Sequence, residues 1–127
     1  MIENVHHIAI ICSDYERSKS FYTTVLGLEV VREVYREGRQ SYKLDLALNG
    51  RYIIELFSFP HPPKRISRPE ATGLRHLAFE VDDIGKEVLR LKEHGITAEA
   101  IRIDELTQKR YTFFSDPDDL PIEFYET

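Results

Sequence analysis

The chain has 127 residues, of which 42% are hydrophobic, so it can bury the core of one domain or of two small halves packed together. A net charge of −5 argues against a nucleic-acid binder, which needs a basic surface. The single cysteine, Cys12, excludes an intrachain disulfide. A membrane-spanning helix needs about 20 consecutive apolar residues, and the sequence contains no apolar stretch of that length. The sequence therefore predicts a cytoplasmic protein that binds neither nucleic acid nor membrane.

The first half of the chain predicts one helix among four strands. Ser13 followed by Glu16 is a capping-box pattern that predicts the start of the helix, and Gly27 marks its end. The pair Asn49-Gly50 is the strongest short signal for a tight hairpin turn. The predicted strands cover Asn4 to Ile11 and residues 28–35, 42–48 and 51–57. The order is β-α-β-β-β.

A connector follows, and then the pattern restarts. Residues 59–73 contain four prolines, which exclude a regular helix or strand there. A helix is predicted at 84–93, with Asp82 or Asp83 as its cap and Gly95 as its stop. The predicted strands of this half are 74–81, 97–103, 111–115 and 121–125, the last two joined by the turn Asp116–Asp119. The order is again β-α-β-β-β.

Two short motifs recur at matched positions in the two halves. The segments VHHIAIICSD and LRHLAFEVDD open the halves and place His76 69 residues after His7. The segments YIIELFSF and LPIEFYET close them and place Glu123 68 residues after Glu55. Each half therefore carries one histidine on its first predicted strand and one glutamate on its last.

These four side chains are candidate metal ligands. If the halves fold alike, pseudo-twofold symmetry brings His7, Glu55, His76 and Glu123 around one axis, a set that suits Zn, Ni, Co, Mn or Fe. The alternative is that each residue is structural, but an unpaired carboxylate in the apolar run Tyr-Ile-Ile-Glu-Leu-Phe costs several kcal/mol. The matched offsets favour the metal site. Strand alternation predicts that His6 points away from His7.

The paired modules, the strand-opening HHIAI and RHLAF, and the closing DPDDLPIEFYE resemble the vicinal oxygen chelate superfamily, and within it glyoxalase I (lactoylglutathione lyase). The resemblance implies an α+β fold of two βαβββ modules in a single domain spanning residues 1–127. Module one covers about residues 4–58, the connector 59–73 and module two 74–126. By position, the metal ligands of glyoxalase I correspond to His7, Glu55, His76 and Glu123. Methylmalonyl-CoA epimerases are similar but place a glutamine at the position of Glu55.

The resemblance implies a metal-dependent lyase or isomerase. A divalent metal chelates two neighbouring substrate oxygens and stabilises an enediolate, while Glu123 or Glu55 moves the proton between carbons. Symmetry leaves the base undecided, and the resemblance favours Glu123. Where glyoxalase I binds glutathione through an arginine and an asparagine, this chain has Ile11 and Phe59, which argues against glutathione. Alternatives of the same superfamily are a thiol transferase, a dioxygenase or a non-catalytic binding module.

Cationic residues near the predicted site are candidates for binding a small-molecule substrate. The connector and the loop before residue 111 supply Arg65, Arg68, Lys109 and Arg110, which can attract an anionic ligand or can equally be solvated loop residues. Because modules of this kind pair within one chain or exchange between two, and because twofold symmetry is the commonest oligomeric form, we expect a homodimer.

Overall fold

The computed structural model describes residues 1–127, which form two compact units, Met1–Lys64 and Arg65–Thr127. The strands are β1 Ile8–Cys12, β2 Glu29–Arg36, β3 Ser41–Leu48, β4 Arg51–Ser58, β5 Leu77–Val81, β6 Arg102–Ile103, β7 Arg110–Ser115 and β8 Pro121–Glu126. The helices are α1 Tyr15–Ser20, which continues into a π-helical segment Phe21–Val25, and α2 Ile84–Glu93. A 3-10 turn occupies Glu37–Arg39. Neither α1 nor α2 has the length and apolar character needed to cross a membrane.

The two units share one sheet topology. The strand order is β1-β4-β3-β2 in the first sheet and β5-β8-β7-β6 in the second. In each sheet the first and last strands of the unit are parallel and the other neighbours are antiparallel. This repeated topology confirms the α+β fold of two βαβββ modules that the internal repeat predicts.

The first unit is built around its two central strands. Leu44 and Leu46 of β3 and Ile54 and Leu56 of β4 are at most 1% exposed. A fully buried side chain of this kind stabilises the fold by about 1.5–3 kcal/mol. The turn between the strands has Asn49 and Gly50 at φ 52° and 78°, the left-handed pair that a type I′ turn requires. These central strands therefore give β4, which carries Glu55, a rigid setting.

The second unit packs α2 against its sheet. Ile84 and Leu91, seven residues apart on one face of the helix, are fully buried, as is Ile122 of β8. Asp83 caps the helix by accepting a hydrogen bond from the Lys86 amide at 3.1 Å. Burial of one helical face thus holds β8, the strand that carries Glu123.

Several predicted boundaries were wrong by a few residues. β1 begins at Ile8 instead of Asn4, and β5 begins at Leu77 instead of Leu74, so both candidate histidines precede their strands. The predicted strand 97–103 is reduced to β6; ahead of it, the Glu99 amide donates to the Phe113 carbonyl at 2.9 Å and the Glu99 carbonyl accepts from the Thr112 hydroxyl at 2.6 Å. The cap of α1 is Asp14 instead of Ser13: its carboxylate accepts from the Arg17 amide and carries a charge that favours a helix N-terminus.

Candidate functional site

The parallel pairing of β1 with β4 determines the His7–Glu55 pair in the first unit. Ala9 lies opposite Glu55 in this register, and His7 lies two residues ahead of Ala9, just before β1. Nε2 of His7 is 3.8 Å from Oε1 of Glu55. The pair is accessible, because the exposed fractions of the two side chains are 36% and 16%. One histidine nitrogen and one carboxylate oxygen therefore flank a common space.

His6 contacts His7, which corrects the prediction that it points away. The two Nδ1 atoms are 2.8 Å apart and the rings meet edge to face. Strand alternation does not apply here because both residues precede β1. The ring of Tyr52 lies 5.3 Å from each histidine ring and supports the pair. With its Nδ1 atom bonded to His6, His7 presents Nε2 towards Glu55.

The second carboxylate oxygen of Glu55 is held by two side chains of the same sheet. The Tyr52 hydroxyl donates to Oε2 at 2.9 Å, and Nζ of Lys43 lies 3.2 Å from the same atom. Burial, followed by the hydrogen bond to Glu55, raises the pKa of Tyr52, so this hydroxyl stays a donor. These contacts fix the orientation of Glu55 and leave Oε1 facing His7.

Asp45 anchors this arrangement from the sheet interior. It is 1% exposed and accepts hydrogen bonds from Arg32 at 3.0 and 3.1 Å, from Lys43 at 2.7 Å and from Tyr52 at 3.2 Å. Burial works to raise the pKa of Asp45, but the hydrogen bonds from Lys43 and Arg32 outweigh it and the pKa is lowered. The hydrogen bond to Asp45 in turn raises the pKa of Lys43. We call Lys43, Asp45 and Tyr52 the Glu55 support network.

The second unit repeats the histidine–glutamate pair. Ala78 lies opposite Glu123 in the parallel β5–β8 register, and His76 lies two residues ahead of Ala78. Nε2 of His76 is 3.8 Å from Oε1 of Glu123, the same separation as in the first unit. The side chains are 27% and 14% exposed, and the ring of Phe113 meets the His76 ring edge to face at 5.0 Å.

The surroundings of the two carboxylates differ. Asp45 and Phe113 hold equivalent places, since each lies directly opposite the glutamate of its own unit. Lys43 lies two residues before Asp45, and the residue two positions before Phe113 is Tyr111. Tyr111 therefore corresponds to Lys43. Neither a lysine nor a tyrosine hydrogen-bonds to Glu123, so its carboxylate is less restrained than that of Glu55.

The donors of each pair fit a divalent metal ion. Imidazole nitrogen and carboxylate oxygen both bind metals at about 2.0–2.2 Å, which places two neighbouring ligand atoms about 3 Å or slightly more apart. A small rotation of either side chain closes the observed 3.8 Å to that value. The donors occur in pairs, and no group of three or more His, Cys, Asp or Glu side chains is assembled as a metal site.

The cationic residues predicted to bind substrate take different positions. Arg65 donates to the carbonyls of Leu74 and Arg75, which holds the connector against the start of β5. Arg68 pairs with Asp119 at 2.9 Å. Arg110 pairs with Glu126 at 2.7 Å. Of the four candidates, only Arg65 and Arg68 line a cavity described below, whereas Lys109 and Arg110 line neither.

Two adjoining cavities lie beside the His76–Glu123 pair within the second unit. Their volumes are about 380 and 520 Å³, the size of ordinary small-molecule sites. They share four lining residues, Arg75, His76, Arg102 and Phe113. Sequence reasoning did not select Arg75 or Arg102. The signal available was weak, because Arg75 lies next to His76 but Arg102 lies in a segment predicted as an ordinary strand.

The chain belongs to the glyoxalase/bleomycin resistance protein/dioxygenase superfamily. The model of this family matches residues 4–124, which includes both units and both histidine–glutamate pairs. This family joins proteins of several activities, so membership defines the fold and a site type but not a reaction.

Three relatives illustrate the range of similarity. The chain is 64% identical to the uncharacterized protein YwkD of Bacillus subtilis over 99% of this chain and 98% of that protein. The crystal structure of a glyoxalase family protein from Enterococcus faecalis is 46% identical, with a TM-score of 0.89 over 98% of each chain. A catechol-2,3-dioxygenase of B. subtilis is 31% identical over 87% of this chain and 36% of the dioxygenase.

Proposed function

We propose that the protein is a divalent-metal-dependent lyase or isomerase of the glyoxalase I kind, acting on a small substrate that presents two neighbouring oxygens. The observation that carries the proposal is the repeated pair: a histidine nitrogen and a carboxylate oxygen 3.8 Å apart in each unit, with the histidine just before the first strand and the glutamate on the last. The proposal requires His7, Glu55, His76 and Glu123 to bind one ion, with ligands drawn from one chain or exchanged across a homodimer. Zn, Ni, Co, Mn and Fe all accept such donors.

A bound divalent cation would stabilise negative charge on the two substrate oxygens and so make the neighbouring C–H bond acidic. A carboxylate of the chain then takes the proton and returns it to the adjacent carbon. Glu123 suits this role because no lysine or tyrosine restrains it. Glu55, held by Tyr52 at 2.9 Å and by Lys43 at 3.2 Å, suits the role of a fixed ligand.

Two positions of the chain argue against glutathione as the thiol carrier in this proposal. Glyoxalase I uses polar side chains at the positions occupied here by Ile11 and Phe59. Ile11 is 55% exposed and Phe59 stacks on Phe57 at 5.8 Å, so both positions present apolar surface. Neither side chain donates a hydrogen bond itself, and the nearest cation is the guanidinium of Arg36, which lies over the rings of Phe57 and Phe59 at 5.0 and 5.9 Å. A less polar thiol, or a substrate without one, fits better.

The similarity to catechol-2,3-dioxygenase favours a second candidate, a metal-dependent dioxygenase. The two candidates differ in their metal requirement, because dioxygen chemistry needs a redox-active ion and proton transfer does not. A screen of metal-reconstituted protein separates them. Turnover of hemithioacetals of several thiols with Zn or Ni supports the isomerase, whereas turnover of catechols with Fe and oxygen uptake supports the dioxygenase.

A further inference from the structure

We infer that the two adjoining cavities of the second unit bind a substrate through an oxyanion group, a carboxylate or a phosphate, anchored by Arg102 and Arg75. We call these cavities together the arginine cleft. The inference rests on the proposed function only for the reaction that follows binding. Binding of the anion itself depends on the arginines alone.

The charge around the first cavity is positive in an otherwise acidic protein. Four arginines and two glutamates line it, whereas the second cavity combines the shared Arg75 and Arg102 with three carboxylates, those of Asp104, Glu105 and Glu123. A concave surface concentrates the field of such residues and raises the local concentration of anions. The excess of arginines therefore favours an anionic group in the first cavity, and the acidic second cavity is left for the uncharged part of the ligand.

Arg102 is held in place by aromatic rings instead of by a buried carboxylate. Its guanidinium carbon lies 5.0 Å from the centre of the Tyr111 ring and 5.9 Å from that of Phe113. A guanidinium stacked in this way keeps its edge free to donate two parallel hydrogen bonds, the geometry that matches a carboxylate or a phosphate. The two rings orient the guanidinium group of Arg102 before the ligand binds. This orientation reduces the conformational entropy that Arg102 loses on binding.

The carboxylates now bonded to these arginines are exposed and replaceable. Glu99 accepts one hydrogen bond from Arg102 at 3.2 Å, and the two side chains are more than half exposed. Glu70 accepts two hydrogen bonds from Arg75, at 2.7 and 3.2 Å, and this pair is also more than 60% exposed. An exposed ion pair with one hydrogen bond contributes little stability, so a ligand anion can replace Glu99 at small cost, whereas the two-bond pair of Arg75 with Glu70 is harder to replace.

The cleft also sets the direction of the ligand. The second cavity is lined by Glu123 and shares His76, Arg75 and Arg102 with the first. An anion held at Arg102 thus lies in the same concavity as the His76–Glu123 pair. Phe113 forms a common wall on which the apolar part of the ligand can pack. We infer a short molecule with an anionic end at the arginines and its reacting oxygens at the histidine–glutamate pair.

The test uses the full chain after treatment with a chelator, so that a metal plays no part. Binding of lactate, of inorganic phosphate and of the neutral analogue lactamide is measured by titration, followed by amide chemical shifts at constant ionic strength. The variants are Arg102→Met, which keeps the apolar stem, and Arg75→Met. Arg39→Met, an exposed arginine in the 3-10 turn of the first unit, is the control.

We expect saturable binding of lactate or phosphate with shifts centred on β6 and β7, and binding of lactamide at least about tenfold weaker. Arg102→Met should weaken anion binding about tenfold or more, while Arg39→Met leaves it unchanged. Tighter binding of lactate identifies a carboxylate ligand, and tighter binding of phosphate a phosphoryl ligand. Equal binding by wild type, Arg102→Met and Arg75→Met, or equal binding of lactamide and lactate, overturns the inference.

The failure of the inference and that of the proposed function are distinguishable. Anion binding in a protein that takes up no metal supports the arginine cleft and contradicts the metal enzyme. Metal binding in a protein that binds neither anion contradicts the cleft alone.

Discussion

Nζ of Lys43 lies 3.2 Å from the carboxylate of Glu55, and no equivalent cation touches Glu123, because Tyr111 stands at the corresponding place of the second unit. The two units share one topology but differ in the side chains that contact the glutamate carboxylate. The support network contacts Glu55 through Lys43 and Tyr52, whereas Glu123 lies opposite an aromatic residue, Phe113, and has only His76 beside its carboxylate, at 3.8 Å. This asymmetry supports the separate roles that we propose for two side chains that the sequence repeat makes look alike.

Exchange of each glutamate for glutamine tests the two roles. At saturating metal, Glu123→Gln should lower turnover about a hundredfold or more, the usual contribution of a general base, with little change in KM. Glu55→Gln should act mainly through weaker metal binding, so that added metal restores much of its turnover. Steady-state kinetics across a metal titration measures both effects. The assignment fails if excess metal rescues Glu123→Gln and not Glu55→Gln.

The support network is testable without an activity assay. Tyr52→Phe removes the hydroxyl that donates to Glu55 at 2.9 Å while keeping the ring against His6 and His7. Groups that orient a metal ligand typically change metal affinity about 10–100-fold. We therefore expect Tyr52→Phe to weaken metal binding about tenfold in a competition assay with a fluorescent chelator. Tyr35→Phe, on the exposed strand β2, is the matched control. Unchanged affinity in Tyr52→Phe contradicts the role of the network.

The pH dependence of stability should report on Glu126. The hydrogen bonds from Arg110 and then from the Ile84 amide lower the pKa of Glu126 from 4.5 to about 2. A lowered pKa in the folded state contributes stability that is present above about pH 4.5 and is lost as the pH falls towards 2. Glu126→Gln should therefore lower Tm at pH 7, and the difference from wild type should shrink between pH 5 and 2. Circular dichroism melting measures it.

Glu3→Gln, at the exposed N-terminus, is the control for this experiment and should melt like the wild type at every pH. A difference between Glu126→Gln and wild type that stays constant from pH 7 to 2 contradicts the prediction.

The assembly state is a separate prediction. We expect a homodimer with twice the chain mass of 14.9 kDa. Light scattering coupled to size exclusion at micromolar concentration measures it. A monomer mass contradicts the prediction and requires one chain to supply all the metal ligands.

The sequence predicts the fold well because the repeat is carried by local patterns. The turn at Asn49-Gly50 and the helix 84–93 follow from residues that act within a few positions. The prediction of His6 was wrong because strand alternation holds only inside a strand, and β1 begins after both histidines. The shortening of strand 97–103 was not predicted, and Glu99 in this segment contacts Phe113 and the Thr112 hydroxyl, which lie 14 and 13 residues further along the chain.

The support network and the arginine cleft were not predicted because both depend on strand register. Asp45 interrupts an apolar run, Leu-Asp-Leu-Ala-Leu, which signals that a buried charge needs partners. Its partners, Arg32, Lys43 and Tyr52, are separated in sequence and meet only in the sheet. Arg102 is joined to Tyr111 by the β6–β7 pairing. Only the folded sheet brings such residues together.

The most direct test of the account is the metal content of stripped and reconstituted protein, measured by mass spectrometry. His76→Ala and Glu55→Ala should each lower the bound metal about tenfold or more. His94→Ala, at the end of α2, should bind as much metal as the wild type. His6→Ala should fall between them, because its Nδ1 atom lies 2.8 Å from that of His7. Stoichiometric metal in the wild type with loss in both ligand variants is the predicted result. Equal metal content in the wild type, His76→Ala, Glu55→Ala and His94→Ala would contradict the account.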